Sequence, residues 1–423
     1  MQFTRNVLKN GLRIITVPMP PSASVTVLVL TTAGSECEVK RTSGLSHFLE
    51  HMCFKGTTNR PTPREIFEEI EGIGGRSNAF TGLEETGYYI KTEARHFKKA
   101  LDIVSDIFLN PVFPNKEIER ERGVIIQEIG KSEDETSDRV FDLFMSCLYG
   151  NQPAGWDILG TRATVKGLER KDFVAYREKY YTAKNTVVVV AGNVNVREVV
   201  GEVSKAFGRI PEGRVMRKPK TKVTKGKPRV HVEYKKSSQT HFVLGFHSYP
   251  VSHPRRLAAD VLGAALGGGS SSRLFQRIRE EMGAAYAVHA GNESYLDHGE
   301  FFAYAGIGHK GVTDVIRVTL EEIARFREET IPADELERVK NYIAGGLATG
   351  LETGSRLAEF YGREEVLGQQ LLTPKEVADK VHRVTAEDIQ KTAQEIFRND
   401  RMCLAAIGPI RNTKSLEKIF RLP

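Results

Sequence analysis

An α+β fold used twice in tandem is what this sequence predicts, and two observations carry that expectation. The first is an internal repeat. Val165-Lys166-Gly167-Leu168-Glu169-Arg170-Lys171-Asp172-Phe173 resembles Val381-His382-Arg383-Val384-Thr385-Ala386-Glu387-Asp388-Ile389, and the offset of 216 persists to where Ala191-Gly192-Asn193-Val194 faces Ile407-Gly408-Pro409-Ile410. Phe67…Gly74 parallels Phe275…Gly283 at nearly the same offset. A unit of roughly 210 residues used twice is a duplicated domain, because solenoid repeats run only about 20 to 50 residues. The second observation is that runs rich in β-branched residues come in pairs and are separated by groups of helical segments, the pattern of a mostly antiparallel sheet covered by helices.

The elements follow in order. Residues 12–18 and 25–32 read as strands, 76–92 as a hairpin, and the valine run 187–190 as a short buried strand. Helices are expected over 43–54, over 63–72 behind Thr62 as N-cap and Pro63 in the first turn, over 94–109, over a long stretch from 114 to 147, and over 164–180. The second half repeats the plan, with extra helix between 312 and 398. The segment 209–227, rich in Lys, Arg, Pro and Gly, has linker composition, which sets the expected domains at 1–208 and 228–423.

Composition removes several classes of function. With 423 residues and 40% apolar content the chain can bury large cores, so disorder is excluded. No stretch approaches the roughly 18 apolar residues that span a bilayer, and the first residues lack a secretory h-region, so a protein with no membrane partner is expected. Four scattered cysteines (Cys37, Cys53, Cys147, Cys403) form no CxxC pair and no disulfide framework, which suits a reducing cytoplasm. A net charge of +7 raises nucleic-acid binding as a reading, but acidic residues are interleaved with the basic ones and no nucleic-acid motif is present.

The informative motif is His47-Phe48-Leu49-Glu50-His51 within helix 43–54. Imidazoles four apart share one helix face, Glu50 lies beside them, and the pair is spaced to hold a divalent metal. Leu45, Phe48, Leu49 and Met52 give the helix an apolar side that packs. A hydrolytic zinc takes a third protein ligand. The long helix offers Glu117, Glu119, Glu121, Glu128, Glu133 and Glu135; Glu121 and Glu128 share a face, and Glu128 sits in the apolar window 124–129, where a carboxylate is costly unless paired or coordinating. Cys53 points off the histidine face and reads as a small apolar residue.

Together, HFLEH at 47–51, Glu128 in the context ERGVIIQEI and the strand Asn78-Ala79-Phe80-Thr81 resemble the M16 metallopeptidases, the inverted-zincin group that includes pitrilysin and the mitochondrial processing peptidase. The resemblance covers essentially the whole chain, whose length matches the subunits that hold two domains. It implies one zinc per chain on His47, His51 and Glu128, Glu50 as general base, and Glu121 as a carboxylate behind the ligands. It also implies Arg279 and Tyr286, seven apart, as contacts to the substrate backbone, and an extended or unfolded peptide added as a strand along Asn78-Ala79-Phe80-Thr81 inside a closed chamber. Because one chain keeps both the zinc motif and the Arg/Tyr pair, a homodimer is expected. The competing reading is an M16-fold scaffold subunit without catalysis. One departure stands out: the stretch Gly150–Trp156 has no histidine where relatives often carry one. The run Gly267-Gly268-Gly269-Ser270-Ser271-Ser272 lacks the Lys-Ser/Thr of a phosphate-binding loop and reads as a tight turn.

Overall fold

A computed structural model describes residues 2–20, 22–224 and 226–422. Along the chain run β1 (Thr4–Val7), β2 (Arg13–Pro18), β3 (Ser24–Thr31), α1 (Leu45–Cys53), α2 (Pro63–Gly72), β4 (Arg76–Thr81), β5 (Thr86–Glu93), α3 (Phe97–Leu109), α4 (Asn115–Asp134), α5 (Thr136–Tyr149), α6 (Arg162–Gly167), α7 (Arg170–Tyr180), β6 (Thr186–Gly192) and α8 (Val196–Phe207). There follow β7 (Arg229–Tyr234), β8 (Thr240–His247), α9 (Arg256–Gly267), a π-helical turn (Phe275–Glu281), β9 (Ala285–Ser294), β10 (Gly299–Ile307), α10 (Val312–Glu328), α11 (Ala333–Gly350), α12 (Gly354–Val366), α13 (Pro374–His382), α14 (Ala386–Ile396), β11 (Met402–Gly408) and α15 (Lys414–Ile419).

Two sheets result, ordered β1-β2-β6-β3-β5-β4 and β7-β11-β8-β10-β9. The pair β2–β6 is parallel, as is β7–β11, and every other ladder is antiparallel. The same sequence of pairings in both sheets is the structural form of the repeat. In each, one strand ends at the repeated glycine, Gly192 in β6 and Gly408 in β11.

The chain divides into two compact units. The first comprises Met1–Ile129, Asp157–Pro219 and Ala348–Pro374; the second comprises Gly130–Trp156, Lys220–Leu347 and Lys375–Pro423. The expected boundaries at 208 and 228 assumed contiguous halves, whereas each half gives one helix to the other's sheet. In the first unit Val25, Val27 and Val29 of β3 alternate onto a core with Phe48, Leu49 and Met52 of α1 and Ile103, Val104 and Ile107 of α3. The opposite face carries α12 from the second half of the chain, whose Gly362 lets the helix settle onto Leu28, Leu30 and Val189. In the second unit the core gathers Phe242, Leu244 and Phe246 of β8 with α9, α10 and α14. Its other face takes α5, through Val140, Phe144 and Leu148 against Val243, Ala405 and Ile407. A sheet with two apolar faces must bury both, and helical periodicity cannot say which sheet a helix will cover.

Two expected helices are broken. The stretch 114–147 ends at Asp134 and restarts at Thr136, because Glu135 leaves helical geometry; the change of unit falls earlier, between Ile129 and Gly130 within α4. The stretch 164–180 is interrupted between Gly167 and Arg170; Leu168 is buried, and the Glu169 N–H donates to Asp172 to start a new helix. The basic segment 209–227, apart from Lys225, which lies outside the described residues, is irregular but held. The Lys218 ammonium is buried on Glu36 and, at 3.3 Å, on Glu84, and the Met216 N–H donates to Asn185. Cys147 of α5 and Cys403 of β11 form a disulfide across 256 residues of sequence, contrary to the expectation of none. No spacing rule announces it, because the fold alone brings those strands and helices together.

Candidate metal centre

The helix carrying the histidines starts at Gly44, whose backbone is left-handed (φ +93°) and whose Cα hydrogen stands where a Cβ would lie 2.5 Å from the Leu159 carbonyl oxygen. Only glycine tolerates both conditions. From there Leu45, Phe48, Leu49, Met52 and Cys53 turn into the core, leaving His47, Glu50 and His51 on the other side. Helix α4 lies across from them and presents Glu121 and Glu128 two turns apart.

The structure brings His47, His51 and Glu128 together: one ligand atom from each lies within 4.8 Å of the others. Glu128 Oε2 is 3.8 Å from Nε2 of both histidines, too far for a hydrogen bond. That oxygen, which faces both Nε2 atoms, is buried without a hydrogen-bond partner. Buried polar atoms are seldom left so, and two imidazoles with one carboxylate are the ligand set of hydrolytic zinc; the residues fit the ion. Glu121 is placed differently. Its Oε2 lies 3.2 Å from His51 Nδ1 and its Oε1 accepts from Lys55 Nζ at 2.7 Å, so it orients an imidazole and does not join the trio.

The electrostatics follow from this packing. Burial, helped by neighbouring His51, pushes His47 down to about 4, which keeps the imidazole neutral, the state a metal requires. Burial also depresses His51, but the acidic groups Glu121, Glu128 and Glu50 outweigh it and hold its pKa above the ordinary value. Burial raises Glu121 too; the hydrogen bonds from His51 and Lys55 overcome that and leave it below the usual carboxylate range. For Glu50, burial wins and the pKa is raised, opposed by the Thr81 hydroxyl, which donates to Oε2 at 2.5 Å. A carboxylate tuned upward beside a metal trio is a candidate proton acceptor.

The family models named "Insulinase (Peptidase family M16)" and "Peptidase M16 inactive domain" match residues 13–162 and 167–343. Over 408 residues, 96% of this chain and 98% of the relative, the sequence is 36% identical to an uncharacterized zinc protease of Rickettsia felis. The chain belongs to peptidase family M16. It is also 35% identical over 416 residues, 97% of this chain and 99% of the relative, to the uncharacterized zinc protease YmxG of Bacillus subtilis. Among solved structures it resembles a protease from Helicobacter pylori, with a TM-score of 0.89 at 24% identity and coverage of 96% and 99% of the two chains. A peptidase M16 inactive domain from Pseudomonas fluorescens has the same TM-score at 17% identity, covering 97% and 99%. At those identities the likeness is one of fold.

Other positions singled out by the M16 pattern divide between the units. β4 is the outermost strand of its sheet and pairs only with β5. Its side chains alternate: Ala79 packs on the core and Thr81 reaches Glu50, while Asn78 and Phe80 face a groove of about 610 Å³ shared with Leu30, Tyr89 and, from α12, Ser355, Arg356, Glu359 and Arg363. Thr81, expected only to line the strand edge, thus spends its hydroxyl on Glu50. Arg279 and Tyr286 belong to the second unit, where Arg279 Nη1 donates to the Tyr286 carbonyl at 2.9 Å and the Tyr286 ring on β9 is 71% exposed. Cys53 is fully buried with its thiol on Tyr88, and burial pushes it up to about 12. Lys55 was missed in the sequence: it lies just past the end of α1, where helical periodicity gives no signal for its approach to Glu121.

Proposed function

We propose that this M16 chain is a zinc endopeptidase that cuts extended or unfolded peptides, and that it works as a homodimer enclosing a chamber. One observation supports this most strongly: Glu50, raised by burial and fixed by Thr81, adjoins the trio of His47, His51 and Glu128, and the hydroxyl that fixes it comes from the sheet's open edge strand. When bound to those three side chains, zinc supplies Lewis acidity at the scissile carbonyl and lowers the pKa of the attacking water.

The chain's own residues do the rest. A peptide adding to β4 forms backbone hydrogen bonds that are largely blind to sequence. Glu50 Oε2 is held by Thr81, so Oε1 takes the proton of the attacking water and later delivers it to the leaving amine. Glu121 and Lys55 hold the His51 ring in place. Arg279 and Tyr286 are assigned to the substrate backbone, the guanidinium on a carbonyl and the phenol on the developing oxyanion.

No described helix is long and apolar enough to cross a membrane. The expectation of a cytoplasmic setting leaned on an absence of disulfides, and the Cys147–Cys403 bond removes that support. The test is turnover of a quenched peptide by protein of known zinc content, with mass measured at micromolar concentration. Chelator-sensitive turnover by a dimer is expected. Zinc-loaded protein with no turnover would favour the scaffold reading, and full activity in a monomer would remove the chamber of two copies.

A further inference from the structure

The helix that carries the metal trio's histidines has nine residues, and its N-cap, Gly44, has no side chain to satisfy the first backbone N–H groups. A carboxylate six residues back in sequence does so. Glu38 Oε2 accepts from the Gly44 N–H at 2.8 Å, and Oε1 accepts from the Ser46 N–H at 2.6 Å and from the Ser46 hydroxyl. Each oxygen has its own donors, so the carboxylate plane is locked, and Glu38 is only 2% exposed. Burial pushes the Glu38 carboxyl up to about 8, so it is these hydrogen bonds, and not its charge, that fix the helix end.

What makes this more than a cap is the platform Glu38 stands on. The turn Ser35–Cys37, which precedes it, is tied to the β4–β5 hairpin: Ser35 N–H donates to the Gly82 carbonyl at 3.2 Å and Glu36 N–H to the Leu83 carbonyl at 2.8 Å. Tyr176 and Tyr180 of α7 fasten the same turn by donating to the carbonyls of Gly34 and Cys37 at 2.9 and 3.0 Å. Thr81, the last residue of β4, holds Glu50 in the middle of α1. Helix α1 is therefore fixed to one hairpin at two points, at its N-terminus through Glu38 and one and a half turns later through Thr81.

We propose that Glu38 is a positioning residue for the metal centre: by clamping the first turn of α1 to the β4–β5 hairpin it sets where His47, His51 and Glu50 stand relative to Glu128 and to the strand edge. This rests on the metallopeptidase reading. Glu38→Gln keeps the shape but turns amide hydrogens toward backbone N–H groups, breaking one side of the clamp.

The experiment is a zinc titration of metal-free protein against a competing chelator, with kcat, KM and thermal midpoint measured for wild type, Glu38→Gln and Asn195→Ala. Asn195 caps α8 in the same unit, away from α1, and its loss costs a comparable helix cap. Glu38→Gln is expected to weaken zinc binding about 10-fold or more and to lower kcat by a similar factor with KM nearly unchanged, the scale of outer-shell substitutions. Asn195→Ala should lower the midpoint and leave zinc affinity alone. Should Glu38→Gln not fold, Ser46→Ala, which deletes one donor and keeps the N–H, should still weaken zinc binding several-fold at a near-normal midpoint. Wild-type zinc affinity in the folded variants overturns the inference while the proposed function stands. A wild-type chain that takes up no zinc overturns both.

Discussion

Helices α1 and α9 each follow a central strand of their sheet, and each packs beside the outer hairpin, yet of the two only α1 carries histidines, which with Glu128 of α4 make a candidate metal trio. The difference lies in the gap between helix and edge strand. In the first unit α1 stands far enough from β4 for Glu50 and Thr81 to meet side chain to side chain. In the second, α9 lies with its backbone against β9: a Cβ on Gly263 would fall 2.9 Å from the Gly291 Cα, and one on Gly267 2.3 Å from the Ala290 nitrogen. Where glycines let backbones touch, no imidazole fits. Duplication therefore preserved the fold, while the helix–strand spacing decided which copy could hold chemistry.

The sharpest test of that contrast is within α1 and α4. Glu50→Gln should retain zinc and lose about 10³-fold or more in kcat, because only the proton acceptor is removed; Glu128→Gln should instead lose much of its zinc, read by metal analysis. A zinc-free Glu50→Gln protein would mean that the roles are misassigned. Next in size is a change aimed at the second unit. Gly267→Val places branched atoms where backbone already sits and should destabilise the protein by about 3 kcal/mol in denaturant titration. Tolerance of the valine would show that the close approach is not obligatory.

Acid should probe the second unit as well. His247 is 2% exposed, and burial, reinforced by Arg229 and Arg401 and only partly opposed by a backbone hydrogen bond at Thr224, pushes it down to about 4 from an ordinary 6.5. A folded-state pKa below the unfolded one means that the unfolded chain binds the extra proton. Stability is thus complete above pH 6.5 and falls as pH drops toward 4, by roughly 2–3 kcal/mol from this group. His247→Phe should flatten that part of the pH dependence; an unchanged slope would assign it elsewhere. The smallest effect is expected at Thr81→Ala. Without the donor that opposes burial, the Glu50 pKa rises further, so the acid limb of kcat/KM should move to higher pH with about 10-fold lower kcat. An unmoved limb would mean that Thr81 does not tune Glu50.

Much of the site was legible because its spacing is local. His47, Glu50 and His51 are neighbours on one turn and a half of helix, and helical geometry alone makes them converge. Glu121 and Glu128 were harder to separate: seven apart on one helix, they share a face, and it is the axial placement of α4 against α1 that sends one to His51 Nδ1 and the other between the two Nε2 atoms. The Glu38 clamp had no signal in the sequence, since an acid before a helix looks like any solvated charge until the turn beneath it is in place.

The amino-acid sequence by itself determined the duplicated α+β plan, the metal-spaced histidines and the hairpin over 76–92, because repeats, helical period and strand alternation are written along the chain. Tertiary structure alone decided that α5 and α12 would cover the sheets formed by the opposite halves, that Cys147 would reach Cys403, and that the gap beside α9 would close. Those outcomes depend on which apolar faces bury each other across hundreds of residues, and no local pattern encodes such a choice.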